Sequence, residues 1–439
     1  MTKDYFTLYL AKIFTALSTA WIHFKLAHVF GVEHYGLFGL AIVLSFYFLF
    51  VADYGLSVSG PRVFQEFSDP EQGIRVVQSL RLVLGFLCAA IYALCIAVFY
   101  QGVASYLIWA LPLVLLNGFV NDWLFRSIQK PIKSSQRQVI QSLIQVLGMC
   151  IAMKIGGTEN LNPTLNHTLS PTLNPALSHP GASMQVFLLI FFLAPFLSQC
   201  AIGFHKPPHS SAVLPFTHNW KPLGKDILAL LRKQFPLFLG HALYSLQYSL
   251  PYILVGFYCS RQQLGWFNSH FFLYSSLASI LLITQDVFLS QQKHKPRSFL
   301  VWVLLSTAGA LFVLYLGPYY YGPFFGPQGF VFQTDLNLQF MVLLLLFMGR
   351  ILYVNKSIFS LNGKFYARIN LLALCSQLMG FLWVLVVQAE ISSRLLLNLL
   401  LGSEALTLIV CLLLNANKTG HIDLLNKQHT TANHESILV

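Results

Sequence analysis

Windows of about 20 predominantly apolar residues, bounded by charge, Pro or Gly, recur along this chain, and each is long enough to cross a hydrocarbon core roughly 30 Å thick as an α-helix. Twelve such windows stand out, at roughly 6–30, 36–58, 80–100, 105–125, 138–155, 184–204, 235–257, 265–289, 298–317, 338–359, 368–389 and 393–415. A chain of this kind cannot hide its apolar surface from water: 56% of its 439 residues are hydrophobic and 10% charged, with a mean hydropathy of +0.64. The runs are continuous, without the dyad alternation of a transmembrane barrel, so helices are predicted and not strands. The fold class expected is all-α: a polytopic membrane protein with about 12 transmembrane helices.

The formal charge of +12 raises the question of nucleic acid, and the distribution of the charge answers it. With the spans laid alternately across a membrane, about 21 of the 27 Lys and Arg fall on the side that holds both termini. They include Arg62, Arg75 and Arg81, the group Arg126, Lys130, Lys133 and Arg137, and the loops 206–233, 293–297 and 356–368. Lys154, Arg261 and Arg394 lie opposite. This asymmetry is the positive-inside rule, so both termini are expected in the cytoplasm and the basic character records insertion rather than a nucleic-acid partner. The first span is too long for the apolar core of a cleavable signal and is expected to remain as an anchor.

The windows divide into a bundle of six over 1–204, a basic cytoplasmic linker loop over 205–234, a second bundle of six over 235–415, and a polar cytoplasmic tail over 416–439. Two stretches break the rhythm. Residues 161–180, LNPTLNHTLSPTLNPALSHP, repeat a four-residue unit too rich in proline for a helix, and read as an exposed loop outside the membrane. GPYYYGPFFGPQGF, at 317–330, reads as an aromatic interfacial anchor. Six of the seven cysteines lie inside spans, with Cys259 alone near the outer face, so neither a disulfide nor a metal site is expected.

An internal repeat emerges from two short motifs. Tyr35-Gly36-Leu37-Phe38 opens the second span and Leu264-Gly265-Trp266-Phe267 the eighth, and each then runs through an apolar helix to an acid, Asp53 or Asp286, near the cytoplasmic end. Six spans per half place both halves in the same orientation, so the repeat is parallel, about an axis along the membrane normal. This is the plan of a transporter with a path between two bundles.

Four stretches carry a likeness to a known family. GVEHYGLFGLAIVLSFYFLFVADYGLSVSGPR resembles the first inter-helix signature of bacterial O-antigen and polysaccharide flippases, members of the multidrug/oligosaccharidyl-lipid/polysaccharide exporter superfamily. NDWLFRSIQKPIKSSQRQ is similar to their Trp-Leu-Phe segment, LVGFYCSRQQLGWFNSHFFLYSSLASI to their seventh and eighth helices, and FSLNGKFYARIN to their late Asn-Gly-Lys turn, so that the likeness spans most of residues 1–390. The proline-rich repeat loop and the register shift between Asp53 and Asp286 depart from it. The resemblance implies a flippase of the bacterial inner membrane that carries an undecaprenyl-pyrophosphate-linked oligosaccharide by alternating access. Its partners would be the lipid-linked substrate, the bilayer, H⁺ or Na⁺ as coupling ion, and a polysaccharide polymerase with its chain-length regulator.

Polar residues within the spans are the candidates for lining such a path, because a charge at mid-membrane costs roughly 2.5–3.5 kcal/mol unless it faces a cavity or a partner. Lys12, Thr15, Thr19 and His23 share one face of the first helix; His241, Ser245, Tyr248 and Tyr252 share one of the seventh; Asn268, Ser275, Ser279 and Asp286 align on the eighth. Arg350 and Glu404 are the deepest charges. The substrate path is therefore assigned to Arg350, Lys12, His23, His241, Tyr248, Tyr252, Asn268 and Glu404, with Glu404 and Asp286 as candidate coupling acids. Ser and Thr stripes more often mark helix packing than substrate contact. Counting in from the cytoplasmic ends, Asp53 and Lys12 reach similar depth, about 10 Å by helix rise, so a structural ion pair between helices one and two is expected.

Two other classes fit parts of the sequence. An ion-coupled multidrug extruder of the same superfamily would share the twelve helices and need midplane acids, of which Glu404 is the deepest. A membrane glycan polymerase or ligase would need a large external loop with catalytic Arg or His; the 156–183 loop offers Glu159, His167 and His179 but no Arg. No catalytic group and no cofactor is assigned.

Overall fold

In the computed structural model of the chain, residues 2–56, 67, 70–120, 131–159, 181–202, 220–290, 304, 307–316, 334–359, 363–387 and 391–413 are described. Within these, the side chains of 2–9, 12, 70–71, 118, 131–132, 156–159, 220–223, 279–290, 334–336, 350–359 and 363 are left aside. The described chain is helical almost throughout. Its helices are α1 (Thr2–Phe30), α2 (Val32–Asp53), α3 (Pro70–Phe99), α4 (Gln101–Leu116), α5 (Pro131–Glu159), α6 (Ala182–Ile202), α7 (Trp220–Tyr258), α8 (Arg261–Ser290), α9 (Thr307–Leu316), α10 (Thr334–Phe359), α11 (Gly363–Val386) and α12 (Ser393–Leu413). Six stretches of these are long and apolar enough to cross a membrane by length and composition: Val32–Asp53, Gln72–Phe99, Lys133–Ile155, Ala182–Ile202, Lys364–Val386 and Ser393–Leu413.

The packing of the first six helices recurs six helices later. α1 lies against α2 and α5, as α7 does against α8 and α11, and α2 against α4 as α8 against α10. α3 packs on α4; in the second half Asn337 on α10 donates to the carbonyl of Leu314 on α9 at 2.7 Å. α4 packs on α6, and Gln339 on α10 donates to Asn398 on α12 at 2.7 Å. α5 packs on α6, and Gly380 of α11 sits against Leu399 of α12. These are two six-helix bundles related by a parallel pseudo-two-fold.

Burial follows the logic of a bilayer. Val83, Phe86, Leu87 and Leu94 of α3 are exposed, whereas Gln145, Gln199, Gln247, Asn268, Asn337, Asn370 and Glu404 are buried. Apolar chains can face lipid without cost, while polar groups must find partners inside the protein.

Three elements differ from the windows read off the sequence. α4 is not a smooth span over 105–125: it alternates short 3₁₀ and α stretches, carries a Pro near the start of its longest piece, and passes into extended backbone at Val120. Part of the segment expected as a linker loop, residues 220–234, forms the first turns of α7, and 203–219 lie outside the described residues. These turns are too charged to enter lipid but amphipathic enough to dock: Ile227, Leu230 and Leu231, spaced three and four apart, pack on Val76, Val77 and Leu80 of α3. At 39 residues α7 is about 58 Å long by helix rise, far more than the bilayer core, so it projects beyond it. Third, α2 stops at Asp53 instead of running to 58, in a left-handed corner described below. The 161–180 repeat and the 317–330 aromatic segment lie outside the described residues.

Candidate functional site

The two bundles meet along α2, which packs on both α7 and α8. Gly31 sets where α2 begins: at φ +84° it turns the chain out of α1, its N–H still bonded to the carbonyl of Ala27 at 3.1 Å, a conformation that L side chains rarely adopt. Four residues into α2, Gly36 crosses Gly265 of α8 so closely that a Cβ on Gly36 would stand 2.7 Å from the Gly265 nitrogen. A Cβ on Gly265 would collide with the carbonyl of Val32, and one on Gly39 with the Tyr252 hydroxyl and the Asn268 amide. Small residues here let backbone meet backbone. Polar side chains then fasten the crossing: Asn268 donates to the carbonyl of Tyr35 at 2.9 Å, and the Tyr252 hydroxyl to that of Gly36 at 3.4 Å. His23 hydrogen-bonds the Tyr35 hydroxyl at 3.0 Å and stacks on Phe272 of α8, ring centroids 3.5 Å apart. Helices α1, α2, α7 and α8 are thereby tied where α2 begins, the outer end in the topology expected from the charge distribution.

The middle of the second bundle is aromatic with one acid. Tyr244 and Tyr248 of α7 lie 4.8 Å apart between ring centroids, with Tyr248 edge-on to Phe347 of α10, which also meets Tyr274 of α8. In the same bundle Glu404 of α12 is fully buried, and Gln247 of α7 donates to it at 2.7 Å and to Ser403 at 3.2 Å. The amide thus ties the acid and the neighbouring hydroxyl of α12 to α7.

The inner end is built from one corner. Asp53 closes α2, where the carbonyl end of the helix dipole disfavours an anion, and Arg81 of α3 compensates it at 3.0 Å while donating to the carbonyl of Val120 at 2.7 Å. Tyr54 follows in the left-handed region, φ +52° and ψ +29°, and Gly55 at φ +72°. This places the Tyr54 ring face to face with Phe238 of α7, centroids 4.1 Å apart, and its hydroxyl on the Leu231 carbonyl at 3.1 Å. His241 of α7 lies beside Gly55 and edge-on to Tyr366 of α11. On the same face Gln72 of α3 donates to Asp226 of α7 at 2.8 Å.

No protein-family model matches the sequence, and no curated protein does. Solved structures do. An inward-facing multidrug resistance MATE family transporter of the MOP superfamily aligns with a TM-score of 0.61 at 12% identity, covering 95% of this chain and 99% of that one. A MOP superfamily transporter from Pyrococcus furiosus, described as having a binding pocket of reverse polarity, aligns at 0.55 and 13% identity over 96% of each chain. A MATE protein in complex with MaL6 aligns at 0.53 and 12% identity, over 96% of this chain and 97% of that one. This chain shares the fold of these solved structures.

Within that fold the residues assigned to a path from the sequence separate into three places. His23, Tyr252 and Asn268 come together at the outer end of the seam, where they hold it shut. Tyr248 and Glu404 lie in the middle and His241 at the inner end. Thr15 and Thr19 donate to the carbonyls four residues back, and Ser275 to one three back, so their hydroxyl protons are used within their own helices. The side chains of Lys12, Asp286 and Arg350 lie outside the described ones. The partner shown for Asp53 is Arg81, where the sequence reading named Lys12. Arg81 had been counted among the loop charges that set topology, yet it sits on α3 and is buried. Tyr54 and Gln247 carry no signal in the sequence analysis, and Tyr35 enters it only as part of the repeat motif; the corner itself is the Asp53-Tyr54-Gly55-Leu56 run within the flippase-like stretch.

Proposed function

We propose that this protein is an ion-coupled exporter working by alternating access, with amphipathic, preferentially cationic molecules as substrates. The observation that carries the reading is the seam: two pseudo-symmetric bundles meet chiefly along α2, with separate fastenings at its two ends. Two packed bundles with a fastening at each end are what a rocking mechanism needs. The aromatic rings of Tyr244, Tyr248 and Tyr274 and the buried acid Glu404, all in the second bundle, suit a cation with apolar groups. We assign to Glu404, held by Gln247, the exchange of a proton or Na⁺ for the substrate. Asp286 stays a second candidate for coupling. The MATE neighbours support this multidrug reading.

A second reading, flipping of a lipid-linked oligosaccharide in the bacterial inner membrane alongside a polymerase and its chain-length regulator, is favoured by the flippase-like signatures around Gly31–Arg62 and Asn362–Lys364. It needs cations for the pyrophosphate, and Arg350 and Lys12 are the ones it would use. One paired assay separates the two. The protein is expressed in a bacterial strain stripped of its own drug pumps and, separately, in one lacking its glycan flippase, and efflux of a cationic amphipathic dye and surface glycan are measured. Dye efflux that Glu404→Gln abolishes at normal protein abundance supports the exporter. Restored glycan without dye efflux overturns it in favour of the flippase, and Arg350→Ala then removes that activity.

A further inference from the structure

The left-handed corner Asp53-Tyr54-Gly55 is not absorbed by substrate binding or coupling, and its construction is unusual. Tyr54 is the one non-glycine residue with positive φ among the described residues, and a bulky side chain in that region is disfavoured because its Cβ crowds the following carbonyl. Strain of this kind persists where the surroundings over-determine it, and it gathers at switches and clamps. Within the first bundle, Arg81 ties Asp53 to α3 and to the carbonyl of Val120, and Leu56 is fully buried against α3, so the corner is rigid from behind. From this backing, next to the docking of Leu230 on Val76, Val77 and Leu80, the Tyr54 ring reaches the other bundle, where it stacks on Phe238 and bonds to the Leu231 carbonyl. Gln72 and Asp226 add one polar contact beside it.

We propose that Tyr54 is a releasable latch at the cytoplasmic end of the seam. The strained corner holds the ring in position to clasp α7 when the inner end is closed. When the bundles part, the stack and the Leu231 hydrogen bond break together, while the Asp53–Arg81 pair stays within the first bundle and keeps the corner ready to re-engage. The stack and the Leu231 bond belong to one side chain, within the apolar contact of α7 with α3, whereas the Gly36–Gly265 crossing at the other end is backbone on backbone. This inference rests on the alternating-access reading, but its test needs no substrate, so a failed transport assay leaves the result below intact.

The test uses the full chain in native lipid. Leu56→Cys, buried behind the latch, is labelled from the cytoplasmic side with a water-soluble maleimide, and modification at that position is followed by mass spectrometry. The latch predicts that Tyr54→Ala raises the labelling rate by about tenfold, the scale set by losing one aromatic stack and one hydrogen bond, and that Phe238→Ala, from the opposite bundle, raises it by several-fold for the stack alone. Forming a disulfide between Gln72→Cys and Asp226→Cys beforehand then returns the rate to that of the parent, because the inner end can no longer open. An unchanged rate in Phe238→Ala at normal protein abundance overturns the proposal. So does a raised rate that the disulfide fails to suppress, since the ring would then merely cover Leu56.

Discussion

The two ends of the seam are closed by different means. At the outer end nothing stands between the helices: Gly36 and Gly265 touch through their backbones, and the hydrogen bonds of Asn268 and Tyr252 run to main-chain carbonyls. At the inner end a Tyr ring fills the gap and a buried ion pair holds its root. A backbone crossing is specific and unforgiving, because any added atom must push whole helices apart. A ring stack is adjustable and is released by the movement of one side chain. The inner end is therefore the one expected to yield with less disturbance to either bundle.

The largest effect expected from breaking this contrast is at the root of the inner corner. Arg81→Met leaves Asp53 buried without the guanidinium, a change worth about 3–5 kcal/mol for a buried pair. Most of the folded protein should be lost from the membrane, as read by the monodisperse fraction after detergent extraction, and Asp53→Leu in the same chain should recover part of it. If Lys12→Met causes that loss and Arg81→Met does not, the anchor of the corner is helix one and not α3.

Gly36→Val comes next. Its side chain meets the backbone of α8 and cannot be accommodated by rotating a neighbour, so a cost of roughly 1–3 kcal/mol or more follows. Gly55→Ala, with ordinary contact distances of 3.7 Å to Phe238 and His241, should cost only the strain of its positive φ, about 1 kcal/mol. Thermal shifts of the two purified variants compare the ends directly, and equal shifts would erase the distinction between a crossing and a latch. Asn268→Ala should have the smallest effect of these on thermal stability, about 1 kcal/mol for one lost hydrogen bond, and should be felt at the outer end alone.

Some of this architecture is legible in the chain itself. The two motifs that marked the repeat, Tyr35-Gly36-Leu37-Phe38 and Leu264-Gly265-Trp266-Phe267, are the segments that face each other across the pseudo-axis, so the glycines repeated in sequence are those repeated in space. Hydropathy found the helices because lipid imposes a length on them. It also drew α2 to residue 58, because apolar content continues past the point where Asp53 and Gly55 turn the chain. The Arg81 partnership was hidden for a different reason. Depth along the membrane normal can be counted from sequence, and it placed Lys12 level with Asp53, but depth says nothing about which helices are neighbours. Gln247 and Glu404 were hidden in the same way, since their contact joins residues 157 positions apart with no shared periodicity. The residues most exposed to misreading were those charged at a helix end, where insertion signal and structural partner look alike.

The central claim is that the two ends open in alternation about α2. Spin labels on exposed positions at each end, Gln136 with Ala229 for the inner and Gln101 with Gln262 for the outer, give two inter-bundle distance distributions by pulsed electron resonance in lipid. Measured across pH and Na⁺ concentration, with and without Glu404→Gln, the account predicts that the inner distance lengthens under conditions where the outer one stays short, and the reverse under others. Two distances that lengthen and shorten together, or that stay fixed under every condition, would contradict it.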